Sequence, residues 1–161
     1  MNDNTNRPNW DDYFIEIVEV IASRGTCNRG RNGCLIVTYD NQILAAGYVG
    51  SPSNAPHCDE IGHLIQTKVL LTGEKFEHCI RTIHAEVNAI AQAAKRGSSL
   101  NNAILYTLME PCYDCAKLII QCGIKKVVSK NLYHAAEMTR DLFNISNVEL
   151  IVLERLIRDY E

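Results

Sequence analysis

His84-Ala85-Glu86-Val87-Asn88-Ala89-Ile90, Ala103-Ile104-Leu105-Tyr106-Thr107-Leu108, Pro111-Cys112-Tyr113-Asp114-Cys115-Ala116-Lys117-Leu118-Ile119-Ile120 and Lys126-Val127-Val128 follow one another in that order. Ala85, Asn88, Ala89 and Ala93 recur at helical spacing, and Gly97 stands where a helix C-cap ends. The run from Ala103 to Leu108 is strand-like. Pro111 then opens a second helix, where its missing N–H has no intrahelical partner to lose. Gly123 stops that helix before the Lys126-Val127-Val128 strand, and a last helix near Ala135 to Phe143 precedes a final strand from Val148 to Leu153. Strands alternating with helices predict an α/β layer fold with helices covering both faces of the sheet.

Outward from this half, Tyr13, Phe14, Ile17, Val18 and Ile21 mark an amphipathic helix between Trp10 and Arg24. Gly33–Tyr39 and Gln42–Gly47 read as two short strands joined by a tight turn at Asp40-Asn41. Gly50 to Asp59 is too rich in turn formers for regular structure, and a loop of that length is commonly functional. The stretch from Ile61 to Ile80 is ambiguous, with Gly73, Glu74 and Lys75 suggesting a surface excursion.

The chain has 161 residues, so residues 1–161 are expected to form one domain with an ordinary core. With 47% hydrophobic and 22% charged residues and a net charge of -3, neither a disordered tail nor a polybasic nucleic-acid surface is expected. No apolar stretch reaches the length of a membrane span, and Met1 to Asn9 lacks a signal-peptide core. A cytoplasmic location is the resulting expectation. Seven cysteines without a secretion signal argue for thiol chemistry rather than a disulfide framework. Cys34 and Cys122 lie in apolar runs and read as small buried hydrophobes.

His84, Cys112 and Cys115 supply one imidazole and two thiolates, three ligands that leave a fourth tetrahedral position on zinc for water. Twenty-eight residues separate His84 from Cys112, enough for the chain to leave along a helix, return as a strand and bring the two together. Cys112 and Cys115 differ by three, so one helical turn can aim both sulfurs the same way. The helix N-terminus favours their ionised form. Glu86, two residues past the histidine, can move protons without binding the metal. A structural zinc knuckle would ordinarily close with a fourth protein ligand, and a redox pair would leave His84 and Glu86 unexplained.

Together these residues form the H-x-E…P-C-x-x-C signature of zinc deaminases acting on nucleobases. Adding Thr26-Cys27-Asn28-Arg29, Gly47-Tyr48-Val49-Gly50-Ser51-Pro52, His57-Cys58-Asp59-Glu60 and Cys79-Ile80-Arg81-Thr82-Ile83 to the two motifs, the chain resembles the deoxycytidylate (dCMP) deaminases of the cytidine deaminase-like superfamily. The resemblance implies a three-layer fold with a mixed central sheet of about five strands. It also implies hydrolysis of dCMP to dUMP and ammonia, with zinc on His84, Cys112 and Cys115 and Glu86 as the proton carrier. Arg29 is the family-matched cation for phosphate, beside Arg24 and Arg31. Asn54, Ala85 and Tyr133 are further substrate-binding residues under this reading.

Val49 departs from the pattern, since relatives commonly carry asparagine there and valine cannot hydrogen-bond a sugar. Either Asn54 or a backbone group compensates, or the substrate differs: a nucleoside triphosphate such as dCTP, a modified cytidylate, or tRNA adenosine. The tRNA reading lacks a basic stripe. A non-catalytic zinc protein would have no need of Glu86. Cys27, His57, Cys58, His78 and Cys79 form a second group of potential ligands, matching the additional structural zinc of some dCMP deaminases; the alternative is reduced buried cysteines and hydrogen-bonded histidines. The resemblance further implies a homo-hexamer, with Tyr48, Leu64 and Ile65 open to cover by another subunit, and dCTP and dTTP as effectors.

Overall fold

Asn9 caps the first helix, its side-chain oxygen accepting the Asp12 backbone N–H at 2.9 Å, and Asp11 and Asp12 sit at the positive end of the helix dipole. This helix, α1, runs from Trp10 to Ala22. The computed structural model describes residues 7–69 and 73–157 of the chain. The polar start as far as Asn6 lies outside the described residues, as do 70–72 and the last four positions.

After α1 come β1 (Gly33–Val37) and β2 (Ile43–Tyr48), a short helix α2 (Cys58–Ile61), and β3 (Ile65–Val69) with β4 (Lys75–Cys79). The second half alternates α3 (Ala85–Arg96), β5 (Ile104–Met109), α4 (Tyr113–Gln121), β6 (Lys126–Asn131), α5 (Glu137–Ile145) and β7 (Glu149–Val152). Five strands form one sheet in the order β2-β1-β5-β6-β7. The β2-β1 and β1-β5 pairs are antiparallel, whereas β5-β6 and β6-β7 are parallel. The expected mixed five-stranded sheet is therefore present.

Strand alternation divides the core into two layers. Leu35 and Val37 of β1, with Tyr106 and Leu108 of β5, pack against Phe14, Ile15 and Val18 of α1. Cys34, Ile36 and Leu105 point to the opposite face, where α3, α4 and α5 contribute Ala89, Ile119 and Phe143. Helices thus cover both faces. Cys34 is fully buried as expected, while Cys122 is only half-buried. Among the described residues no helix is long and apolar enough to cross a membrane.

The ambiguous stretch resolves into an antiparallel hairpin, β3-β4, running from the Ile65↔Cys79 pair to Val69↔Lys75. It forms a sheet of its own. Ile65 and Val69 are exposed, so the apolar pattern carries no signal of a buried face. Such a ribbon needs support from elsewhere in the fold.

Candidate active site and metal centres

Two helix N-termini meet at the carboxyl end of β5. His84 is the N-cap of α3 and Cys112 the N-cap of α4, both with extended backbone. The approach depends on Gly47 of β2. A Cβ there would stand 2.4 Å from the Ala89 backbone N and 2.5 Å from the Ala85 carbonyl oxygen. Only glycine lets the strand lie so close against the first turn of α3.

His84 Nδ1 lies 3.4 Å from the sulfur of Cys112 and 3.4 Å from that of Cys115. Ligands at ordinary Zn–N and Zn–S lengths on a tetrahedron stand roughly 3.5 Å apart, so the set fits zinc. The Cys115 thiol beside Cys112, together with His84, draws the Cys112 thiol well below its ordinary value despite burial. Cys115 is pushed the other way by Cys112 and by burial. One proton shared by two close sulfurs is what a metal cation displaces. Hydrogen bonding to Cys112 raises His84, against the opposing effect of burial.

Glu86 is 3% exposed, and its Oε2 accepts from the Cys115 thiol at 3.8 Å. Burial raises its pKa above the usual carboxylate value, with His84 opposing. A carboxyl group that holds its proton more readily than usual suits proton transfer. His84, Glu86 and Cys112 lie in one cavity. Phe76 and His78 of β4 line it, as do Tyr133 and His134 in the segment after β6. The rings are close: His78 to His84 at 5.4 Å, Phe76 to His134 at 6.3 Å and Tyr133 to His134 at 4.6 Å between centroids. Such walls suit a flat heterocycle. Burial, then the two cysteines, push the Tyr133 phenol up to about 12, so it enters the cavity neutral.

Of the expected substrate residues, Arg29 and Tyr133 line the cavity. Ala85 is fully buried in the first turn of α3 and is not part of the lining. Asn54 is exposed at φ 67 and lies outside the lining, as do Arg24 and Arg31. Val49 is in the wall, and across the strand pair its N–H donates to the carbonyl of Asn32, which lines the cavity as well. Asn32 escaped the sequence reading because its neighbours carry no motif. Glu110 lines the cavity too, and its one signal was adjacency to Pro111-Cys112.

A second group brings together Cys27, Cys58, His63 and Cys79. The Cys27 sulfur is 3.6 Å from His63 Nδ1, and the Cys58 and Cys79 sulfurs are 3.6 Å apart. Four ligands at these separations form a closed set, as in a structural zinc site. Burial opposes ionisation, yet backbone N–H groups at Arg81 and Leu64, with His63, bring Cys79 down to about 7.

Of the five residues expected in the second group, the structure brings Cys27, Cys58 and Cys79 together, with His63 and not His57 or His78 as the fourth member of the cluster. His78 precedes Cys79 on β4, so the two side chains point to opposite faces. His78 stands beside the His84 ring, and Cys79 beside the Cys58 sulfur. His57 is the N-cap of α2, with its backbone N–H donating to Glu60 Oε2 at 2.9 Å. Gly62, at φ 81, turns the chain so that His63 returns to the sulfurs.

The chain belongs to the cytidine and deoxycytidylate deaminase family: the model of its zinc-binding region matches residues 8–131. The deoxycytidylate deaminase of Schizosaccharomyces pombe is 37% identical over 150 residues, covering 93% of this chain and 46% of that protein. The ComE operon protein 2 of Bacillus subtilis is 37% identical over 155 residues, covering 95% of this chain and 77% of the relative. The chain thus spans about half of the first relative's length and about three quarters of the second's. Among solved structures, the dCMP deaminase of cyanophage S-TIM5 in complex with dCMP and dUMP superposes with a TM-score of 0.71 at 28% identity, covering 89% of this chain and 96% of that one.

Proposed function

We propose that the chain hydrolyses dCMP to dUMP and ammonia. The observation that carries the reading is a buried carboxylate, Glu86, beside a three-ligand zinc set at the floor of a ring-lined cavity. Family membership and the S-TIM5 enzyme's complex with dCMP and dUMP support it.

His84, Cys112 and Cys115 would hold the zinc, which when bound would supply Lewis acidity and a more acidic water. Glu86 takes a proton from the attacking water and passes it to ring N3 as the C4–O bond forms; it then takes the remaining proton from the C4 hydroxyl and delivers it to the amine as the C4–N bond breaks and the C4 carbonyl forms. Phe76, His78, Tyr133 and His134 hold the base between them and exclude water. Arg29 receives the phosphate by charge-assisted hydrogen bonds.

The test is a substrate panel on zinc-replete protein, read by ammonia release. dCMP is expected to exceed deoxycytidine in kcat/KM. Equal values for the two would reject the phosphate contact, and no ammonia from dCMP would reject the reaction. Val49 in the wall favours one second reading, in which dCTP or a modified cytidylate is the preferred member of the same panel.

The second group of ligands binds a structural zinc that fixes the β3-β4 hairpin to the loop before β1 and to α2. Metal analysis is expected to return two zinc ions per chain, falling to one in Cys58→Ser. Exposed Ile61, Leu64 and Ile65 support assembly into a homo-hexamer, checked by light scattering. Control by dCTP and dTTP is checked by the substrate-response curve with each nucleotide. A cytoplasmic site of action goes with thiols that serve as zinc ligands rather than disulfides.

A further inference from the structure

Glu110 follows β5 directly and carries a side chain with no exposed surface. Its Oε1 accepts from Arg140 Nε at 2.7 Å, and its Oε2 accepts from Arg140 Nη2 at 2.6 Å and from the Tyr133 backbone N–H at 2.9 Å. A carboxylate has about four acceptor positions, and three are used here. The Glu110 backbone N–H in turn donates to the Asn131 carbonyl at 3.2 Å. One residue therefore ties the end of β5, the segment after β6 and α5 together, one position before Pro111 and two before the metal ligand Cys112.

We infer that Glu110, braced by Arg140, is the positioning residue that sets the Tyr133-His134 wall against the substrate. This rests on the dCMP reading above. Arg140 lines a second cavity with Leu132, Phe143 and Arg155, and Glu110 lines both cavities, so the ion pair lies where the two spaces adjoin. A buried carboxylate gripped in bidentate fashion has one orientation, whereas a single hydrogen bond would let the wall pivot. Tyr133 N has its acceptor on Glu110, and the phenol and the His134 ring follow that backbone position. Glu110 does no proton chemistry in this scheme, because Glu86 is the carboxylate beside the metal ligands.

The test uses full-length, zinc-loaded protein in a Glu86→Gln background, where dCMP binding is measured by calorimetry without turnover. Two variants are added: Glu110→Gln, and the paired Glu110→Met/Arg140→Met. The paired change removes both charges together and so leaves no unpaired buried ion to unfold the protein. Amide exchange by NMR is followed at Tyr133 and, for comparison, at Val127 and Ser129 of β6.

In the paired variant the Tyr133 amide is expected to exchange at least about tenfold faster, with Val127 and Ser129 unchanged. dCMP affinity is expected to fall by about tenfold or more, the factor of a lost charge-assisted hydrogen bond, and zinc content to stay constant. Glu110→Gln should show the same pattern, weaker. Unchanged exchange at Tyr133, a rise spread along β6, loss of zinc, or undiminished affinity would each overturn the assignment. If the Glu86→Gln parent itself binds no dCMP, the substrate reading has failed. The exchange pattern then decides alone whether Glu110 holds the wall.

Discussion

Gly47→Ala probes the link between fold and chemistry most directly. The added methyl group would stand 2.4 Å from Ala89 N, 2.5 Å from the Ala85 carbonyl oxygen and 2.9 Å from the Asn88 carbonyl carbon. All three are backbone atoms of α3, so no side chain can swing away. Restoring ordinary contact requires the helix to retreat by about 1 Å, an overpacking strain of roughly 3 kcal/mol. For a chain of this size that lowers Tm by about 6–12 °C. The retreating turn carries His84 and Glu86, while Cys112 and Cys115 stay with α4. A misplacement of about 1 Å at a reacting centre costs on the order of 100-fold in rate.

The assay is ammonia release from dCMP at saturating zinc and at a temperature where the variant is folded, with Tm from a thermal melt. Gly97→Ala is the control. Gly97 caps α3 at φ 70 with nothing near an added Cβ, so the variant should lose about 1 kcal/mol and keep its turnover. A Gly47→Ala enzyme with wild-type turnover would refute the claim that strand-to-helix contact positions the site.

Glu86→Gln should retain its zinc, since Glu86 is not a ligand, and lose about 100-fold to 10,000-fold in turnover; metal analysis and ammonia release check the two halves separately. Chelation should abolish ammonia release and lower Tm, and added zinc should restore both; a chelated enzyme of full activity would contradict the metal role. Tyr106→Phe removes a phenol that donates to Asp11 at 2.7 Å, and should cost about 1–3 kcal/mol without altering kcat. Burial, then Asp11, holds that phenol well above its ordinary value of 10, so the folded state binds the proton more tightly than the unfolded chain does. Its contribution is full below pH 10 and is lost as pH rises through the folded value. Denaturant melts should therefore show the wild-type advantage over Tyr106→Phe shrinking above pH 10.

Local pattern alone singled out His84, Glu86, Cys112 and Cys115, which the structure brings together, because each pair is close along the chain and helix geometry converts that spacing into direction. The same holds for the alternation from Ala85 to Val152, in which periodicity, Gly97 and Gly123 marked every element. The hairpin from Ile65 to Cys79 was not legible, since β3 is almost wholly exposed and the inward residues of β4 are Phe76, His78 and Cys79, which show no two-residue apolar alternation. His63 in place of His57 and His78 turned on which face of β4 meets the sulfurs and on the left-handed turn at Gly62. Glu110 and Arg140 lie thirty residues apart on different elements, and nothing near either one names the other. Short-range order comes from backbone geometry, which the sequence encodes residue by residue. Partners across the fold are chosen by packing, and packing exists only once the sheet has brought distant segments together.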